Sequence, residues 1–85
     1  MTPNASKDVL TEVARIIGLQ LGIRGVRPQD RLLEDLGAES VDILNILLAL
    51  EDRYGLVLNE GDLGYVRSVR ELAGLVQDLL DGRFS

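Results

Sequence analysis

Eight of the ten residues from Val41 to Leu50 are apolar, and their spacing constrains the fold more than any other feature of the chain. At about 100° per residue, counted from Ser40, they divide into two separate patches on one helix. One gathers Ile43, Ile46, Leu47, Leu50 and Tyr54. The other gathers Val41, Leu44 and Leu48, edged by Asn45, Glu51 and Asp52, while Asp42, Ala49 and Arg53 belong to neither. One apolar stripe is enough to dock a helix on a small core. A helix buried on two sides suits a larger bundle than this chain can supply, so the second, acid-rimmed patch reads as a surface that faces a partner.

Two further segments have helical period. Val9, Val13, Ile16, Ile17 and Leu21 predict a helix over about 7–21, with Ser6 as its N-cap and Gly22 as its stop. Val69, Leu72, Ala73, Val76, Leu79 and Leu80 predict another over about 69–80. There Ser68 and Glu71 have the spacing of a capping box, in which each side chain satisfies a free backbone N–H, and Gly82 is placed as a terminator. Between the first two helices lie residues 22–39, a loop long enough to expect a function of its own, with Leu32, Leu33 and Leu36 available to pin it to the core. Residues 55–67 leave room for one short helical turn near 59–63, where Gly61 and Gly64 each weaken a helix by about 1 kcal/mol relative to alanine. The expected architecture is all-α, a four-helix bundle of three principal helices and one short third helix with a long first loop.

Length and composition narrow the function. At 85 residues the chain reads as one domain, with a core over about 7–81. A domain of this size buries roughly 60–65% of the surface of its unfolded chain, which leaves little material for a deep substrate cavity. Cysteine and histidine are both absent. That excludes disulfides, the usual zinc sites, and Cys–His or Ser–His catalytic pairs. The only lysine, Lys7, lies in the N-terminal fringe, which argues against a Ser–Lys arrangement. No apolar stretch is long enough to cross a bilayer, and Met1 to Asp8 have no secretory pattern, so the cytoplasm is the expected location.

Of the net charge of −5, the span 30–62 holds nine acids against two bases, a local charge of −7, while the rest carries +2. Such a block repels nucleic acid and anionic lipid and attracts basic protein surfaces. Ser40 stands inside it, at the head of the central helix, enclosed by Asp35, Glu39 and Asp42. A serine at a helix start is ordinarily a cap. No base is near enough in sequence to activate this hydroxyl, so it is not a nucleophile of the ordinary kind, but it can be a substrate for another protein's chemistry. A phosphate ester there would meet the positive end of the helix.

The run Glu34-Asp35-Leu36-Gly37-Ala38-Glu39-Ser40-Val41-Asp42 resembles the prosthetic-group attachment motif of bacterial acyl carrier proteins, Asp-Leu-Gly-Ala-Asp-Ser-Leu-Asp in typical members. Leu50-Glu51-Asp52-Arg53-Tyr54-Gly55, the stretch 13–22 and the pair Ser68-Val69 continue the likeness in one register, over about 9–80. The resemblance implies that a phosphopantetheinyl transferase, using coenzyme A and Mg²⁺, attaches 4′-phosphopantetheine to Ser40. The arm's thiol would carry acyl groups as thioesters, a chemistry that a chain without cysteine must import. By position in the family, Asp35, Glu39, Val41, Asp42, Leu44, Leu48, Glu51 and Asp52 would meet partner enzymes with basic surfaces. Ile43, Ile46, Leu47, Leu50 and Tyr54 would shelter the acyl chain. Partners would include acyl-transferring and chain-elongating enzymes. The protein itself would be a monomer that is not an enzyme, holds no metal, and neither binds nucleic acid nor inserts in a membrane.

Departures from the motif are Glu39 for Asp, Val41 for Leu, Asn45 for an acid and Asn59 for a frequent Pro. They leave both fatty-acid and specialised polyketide-type pathways open. A peptidyl or aminoacyl carrier usually has Gly-Gly where this chain has Gly37-Ala38, and Asp42 also favours an acyl carrier. An unmodified helical interaction module is the alternative from another class.

Overall fold

Each long helix begins where a side chain can satisfy backbone N–H groups that have no partner within the helix. The computed structural model describes residues 6–64 and 66–82, except the side chains of Glu60 and Asp62. Helix α1 spans Lys7–Leu21, and its N-cap Ser6 accepts the Val9 N–H at 3.2 Å. It stops at Gly22, whose φ of 69° is left-handed and whose N–H bonds the Gly18 carbonyl. Helix α2 spans Ser40–Tyr54, α3 is a single turn over Glu60–Leu63, and α4 spans Val69–Leu80. The expected capping box opens α4: Ser68 Oγ accepts the Glu71 N–H, and Glu71 Oε1 accepts those of Ser68 and Arg67. These N–H groups, that of Arg67 first, hold the Glu71 carboxyl below its ordinary pKa. Helix α4 ends at Leu80 as expected, with Asp81 as its cap and Gly82 next in the left-handed conformation.

The fold is all-α. Among the described residues the only sheet-like pairing is an isolated bridge between Arg31 and Ser68, and no helix is long and apolar enough to cross a membrane. Helix α1 lies against both α4 and α2. Val13 and Ile17 of α1, Ile46 and Leu50 of α2, and Val69, Leu72, Ala73 and Val76 of α4 form the buried centre. Burial of each larger side chain contributes about 1.5–3 kcal/mol before the entropy of ordering is set against it. Leu80, expected on the α4 stripe, is instead 41% exposed, while Leu79 beside it packs against the core.

The first loop, 22–39, is held by hydrogen bonds as well as by leucines. The carbonyls of Asp30 and Pro28 accept the N–H groups of Val69 and Arg70, both at 2.9 Å. With Ser68 Oγ on Glu71, the first turn of α4 therefore has all three of these donors satisfied. The Leu32 N–H in turn donates to the Arg67 carbonyl at 2.9 Å. The buried Asp30 carboxylate folds the loop on itself by accepting the Arg27 N–H at 2.8 Å. Leu32 is buried and Leu36 half-buried, as expected of pinning residues, but Leu33 is 60% exposed. The tight turn through 32–36 sends Leu32 inward and its neighbour outward.

A second tie joins α1 to α2. Glu12 accepts from Arg15 at 2.6 Å and from Arg53 at 2.9 Å, and Arg53 also stacks over the Tyr54 ring. The Arg15 hydrogen bond, followed by that of Arg53, pulls the Glu12 pKa down to about 2. A carboxylate with a depressed folded pKa adds stability above its unfolded pKa, near 4.3, and loses it as pH falls toward 2. Glu12→Gln is expected to lower the thermal midpoint modestly at pH 7 and to make the acid limb between about pH 4.3 and 2 shallower, read by circular dichroism. Gly18 gives a second test. A Cβ there would lie 2.9 Å from the Ile23 backbone oxygen. Alanine gains about 1 kcal/mol of helix propensity, but forcing a backbone carbonyl aside costs about 1–3 kcal/mol. Gly18→Ala is therefore expected to destabilise the fold in urea denaturation, although it improves the helix locally.

Candidate functional site

The approach to α2 is built residue by residue. Gly37 takes a φ of +69°, which turns the chain toward the helix in a conformation other residues adopt only under strain. Ala38 is buried, and its N–H donates to the Leu32 carbonyl at 2.9 Å, which ties the entry of α2 to the first loop. Glu39 is the N-cap, in extended conformation, and its N–H donates to Asp42 Oδ2 at 2.9 Å. Ser40 is therefore not the cap that its place at the helix start suggests. It is the first helical residue, exposed, and its hydroxyl has no hydrogen-bond partner among the described residues. The capping duty has passed to Glu39 and Asp42, which leaves the hydroxyl free.

Beside Ser40 lies a cavity of about 310 Å³ walled by Leu33, Ile43, Leu44, Leu47 and Leu63. A second, of about 320 Å³, shares Leu33, Ile43 and Leu63 with it and continues past Leu32 and Val66 to Glu34 and Arg67. Together they make a mainly apolar groove between the first loop, α2 and α3, with Glu34 and Arg67 as polar groups of the second cavity. Of the five residues expected to shelter an acyl chain, Ile43 and Leu47 line this groove. Ile46 and Leu50 do not: both are completely buried in the core. Tyr54 does not either, standing fourteen residues along α2 from Ser40, about 21 Å at 1.5 Å per residue. Sequence reasoning missed Leu33 and Leu63. An apolar residue closing the short turn at 60–63 was the available signal for Leu63; the exposure of Leu33 had none.

The outer patch is on the surface, with Val41, Leu44 and Leu48 each about half exposed or more. Leu44 has both duties, on the outer face and at the groove's edge. The acids around it differ in how they are held. Asp35 is exposed and bound to Arg31, whose backbone N–H, then its guanidinium, keep the Asp35 carboxyl below its ordinary pKa. Asp42 and Glu51 are half-buried and each accepts a backbone N–H. Glu39 and Asp52 are exposed, and Asp52 has no ion pair among the described residues. No cluster of acids among the described residues is arranged to hold a metal ion.

The family model described as "Phosphopantetheine attachment site" matches residues 7–76. An acyl carrier protein of Nitratidesulfovibrio vulgaris (strain DP4) is 30% identical over 69 residues, 79% of this chain and 91% of its own length. One from Campylobacter hominis is 26% identical over 74 residues, 85% of this chain and 94% of its own. The crystal structure of an acyl carrier protein from Thermotoga maritima superposes with a TM-score of 0.75 at 21% identity, covering 92% of this chain and 93% of that one, which shows the same fold. A matched span that takes in all of α1, the whole first loop, α2, and α4 as far as Val76 places the chain in the phosphopantetheine-attachment family, whose prosthetic group is 4′-phosphopantetheine and to which the bacterial acyl carrier proteins belong.

Proposed function

We propose that the chain is an acyl carrier protein whose 4′-phosphopantetheine arm is attached to Ser40 Oγ, serving fatty-acid or polyketide-type biosynthesis. The observation that carries this reading is the exposed hydroxyl at the first position of α2, without a hydrogen-bond partner among the described residues because Glu39 and Asp42 do the capping. The residues present suit the group. A phosphodiester on Ser40 lies at the positive end of α2, where first-turn N–H groups favour an anion. The neighbouring apolar groove, with Leu33, Ile43, Leu47 and Leu63, can exclude water from an apolar chain. When bound, the group supplies a thiol that holds acyl groups as thioesters. Ser40 gives the attachment oxygen, the first turn of α2 balances the phosphate charge, and the groove covers the cargo.

On this reading Val41, Leu44 and Leu48 form the apolar centre of the recognition face, with Glu39, Asp42 and Asp52 as acids that meet basic surfaces of the transferase and of acyl-transferring and chain-elongating enzymes. Asp35 lies on the approach to Ser40. Glu51 was expected on this face as well. The chain acts as one carrier domain over 1–85 with its core at about 7–81, α3 completing a four-helix bundle. It works as a cytoplasmic monomer, without catalysis of its own, and neither binds nucleic acid nor inserts in a membrane.

Intact mass after incubation with coenzyme A, Mg²⁺ and a promiscuous phosphopantetheinyl transferase is expected to rise by one phosphopantetheine, and not at all for Ser40→Ala. An unchanged mass for the parent protein would favour an unmodified interaction module. Because Asp52 is exposed and has no ion pair among the described residues, Asp52→Lys is expected to leave the thermal midpoint nearly unchanged. It should reduce kcat/KM for modification about tenfold at low ionic strength, with the deficit shrinking as salt is added.

A further inference from the structure

Glu51 is one of the three acids of α2 but is held differently from the exposed Asp52 beside it. Its carboxylate accepts the Leu58 N–H at 2.8 Å, and its own carbonyl accepts the N–H groups of Gly55 at 2.8 Å and Leu56 at 3.3 Å. Three hydrogen bonds accepted by one residue thus shape the turn that leaves α2. Past Gly55 the chain alternates: Leu56 is half-buried, Val57 is 71% exposed and Leu58 is buried. A buried N–H without a partner is costly, and the Glu51 carboxylate is the partner that Leu58 has.

The bond gains consequence from its place just ahead of the shortest helix. Helix α3 begins two residues after Leu58 and is four residues long, with a glycine inside it and another at its end. It has little packing to hold it, so its position depends on the linker before it. Its last residue, Leu63, is one of the three walls, with Leu33 and Ile43, that both cavities share.

We infer that Glu51 is a positioning residue: through Leu58 it sets where α3 stands, and so the shape of the groove beside Ser40, and it is not a charge read by partner enzymes. The role in carriage rests on the reading of Ser40 as the arm's attachment point; the positioning itself does not.

Glutamine keeps the acceptor and drops the charge, whereas alanine drops both. Amide exchange and methyl spectra of the unmodified protein, read by NMR, are expected to separate them. In Glu51→Ala the Leu58 amide should exchange about five- to tenfold faster and the Leu63 methyl signals should shift, with the core amide of Val76 unaffected. In Glu51→Gln both signals should stay close to those of the parent protein. In transferase assays Glu51→Gln should keep kcat/KM and its salt dependence within about twofold, unlike Asp52→Lys. The proposal is overturned if Leu58 exchanges alike in all three proteins, if glutamine fails to rescue it, or if Val76 accelerates as much as Leu58. It is equally overturned if Glu51→Gln slows modification as Asp52→Lys does. Should the parent protein accept no phosphopantetheine, the carrier reading fails while the exchange data still decide the role of Glu51.

Discussion

The docking of the first loop on the head of α4 is the contact from which the site takes its place. Val69 and Arg70 begin a helix and so have N–H groups with no partner inside it. Asp30 and Pro28, from a loop some forty residues earlier, supply the carbonyls. That exchange fixes Leu32 over the core, Leu32 fixes Ala38, and Ala38 fixes the point at which α2 starts. Without it, residues 22–39 would be a long connection held mainly by Val26, Leu32, Leu36 and Ala38 on the core, with less to oppose the entropy of ordering it. The position of Ser40 is thus inherited from hydrogen bonds made in the middle of the loop, eight to twelve residues earlier.

Neighbouring residues at the start of α2 divide the labour. A helix start needs a cap, and a site for attachment needs an unengaged hydroxyl; one serine cannot serve both. Here an acid at the cap position and another at the third helical position do the first task, and the serine between them is left to the solvent. The same acids give the region its negative charge, so local helix chemistry and long-range attraction for basic surfaces come from shared residues. The groove shows similar economy. Its walls are Ile43 and Leu47, which also close the core, and Leu33 and Leu63, which come from irregular or barely helical segments.

The long helices were legible because period and caps agree: the boundaries at Lys7, Leu21, Ser40, Tyr54, Val69 and Leu80 are all marked by Ser, Gly or a change in apolar spacing. The attachment motif was legible as a string of residues. Three things were not. The exchange of capping duty from Ser40 to Glu39 depends on backbone angles that a serine at a helix start does not reveal. The split of the inward face of α2 into sealed core at Ile46 and Leu50 and groove wall at Ile43 and Leu47 depends on which neighbours come close, and angular position on one helix carries no such information. The engagement of Glu51 by Leu58 arises because a turn brings a later N–H back to the helix, and composition cannot separate that acid from Asp52 next to it.

Gly37 carries a last implication. Around the place where its Cβ would stand there is nothing within 4 Å, so volume does not explain the glycine; the torsion of +69° does. The restriction is one of handedness. An L-residue would be strained there even with open space beside it, while a mirror-image residue would sit at ease. The direction in which the chain enters α2, and with it the direction in which anything tethered to the serine leaves the surface, is governed by the chirality of a single main-chain angle.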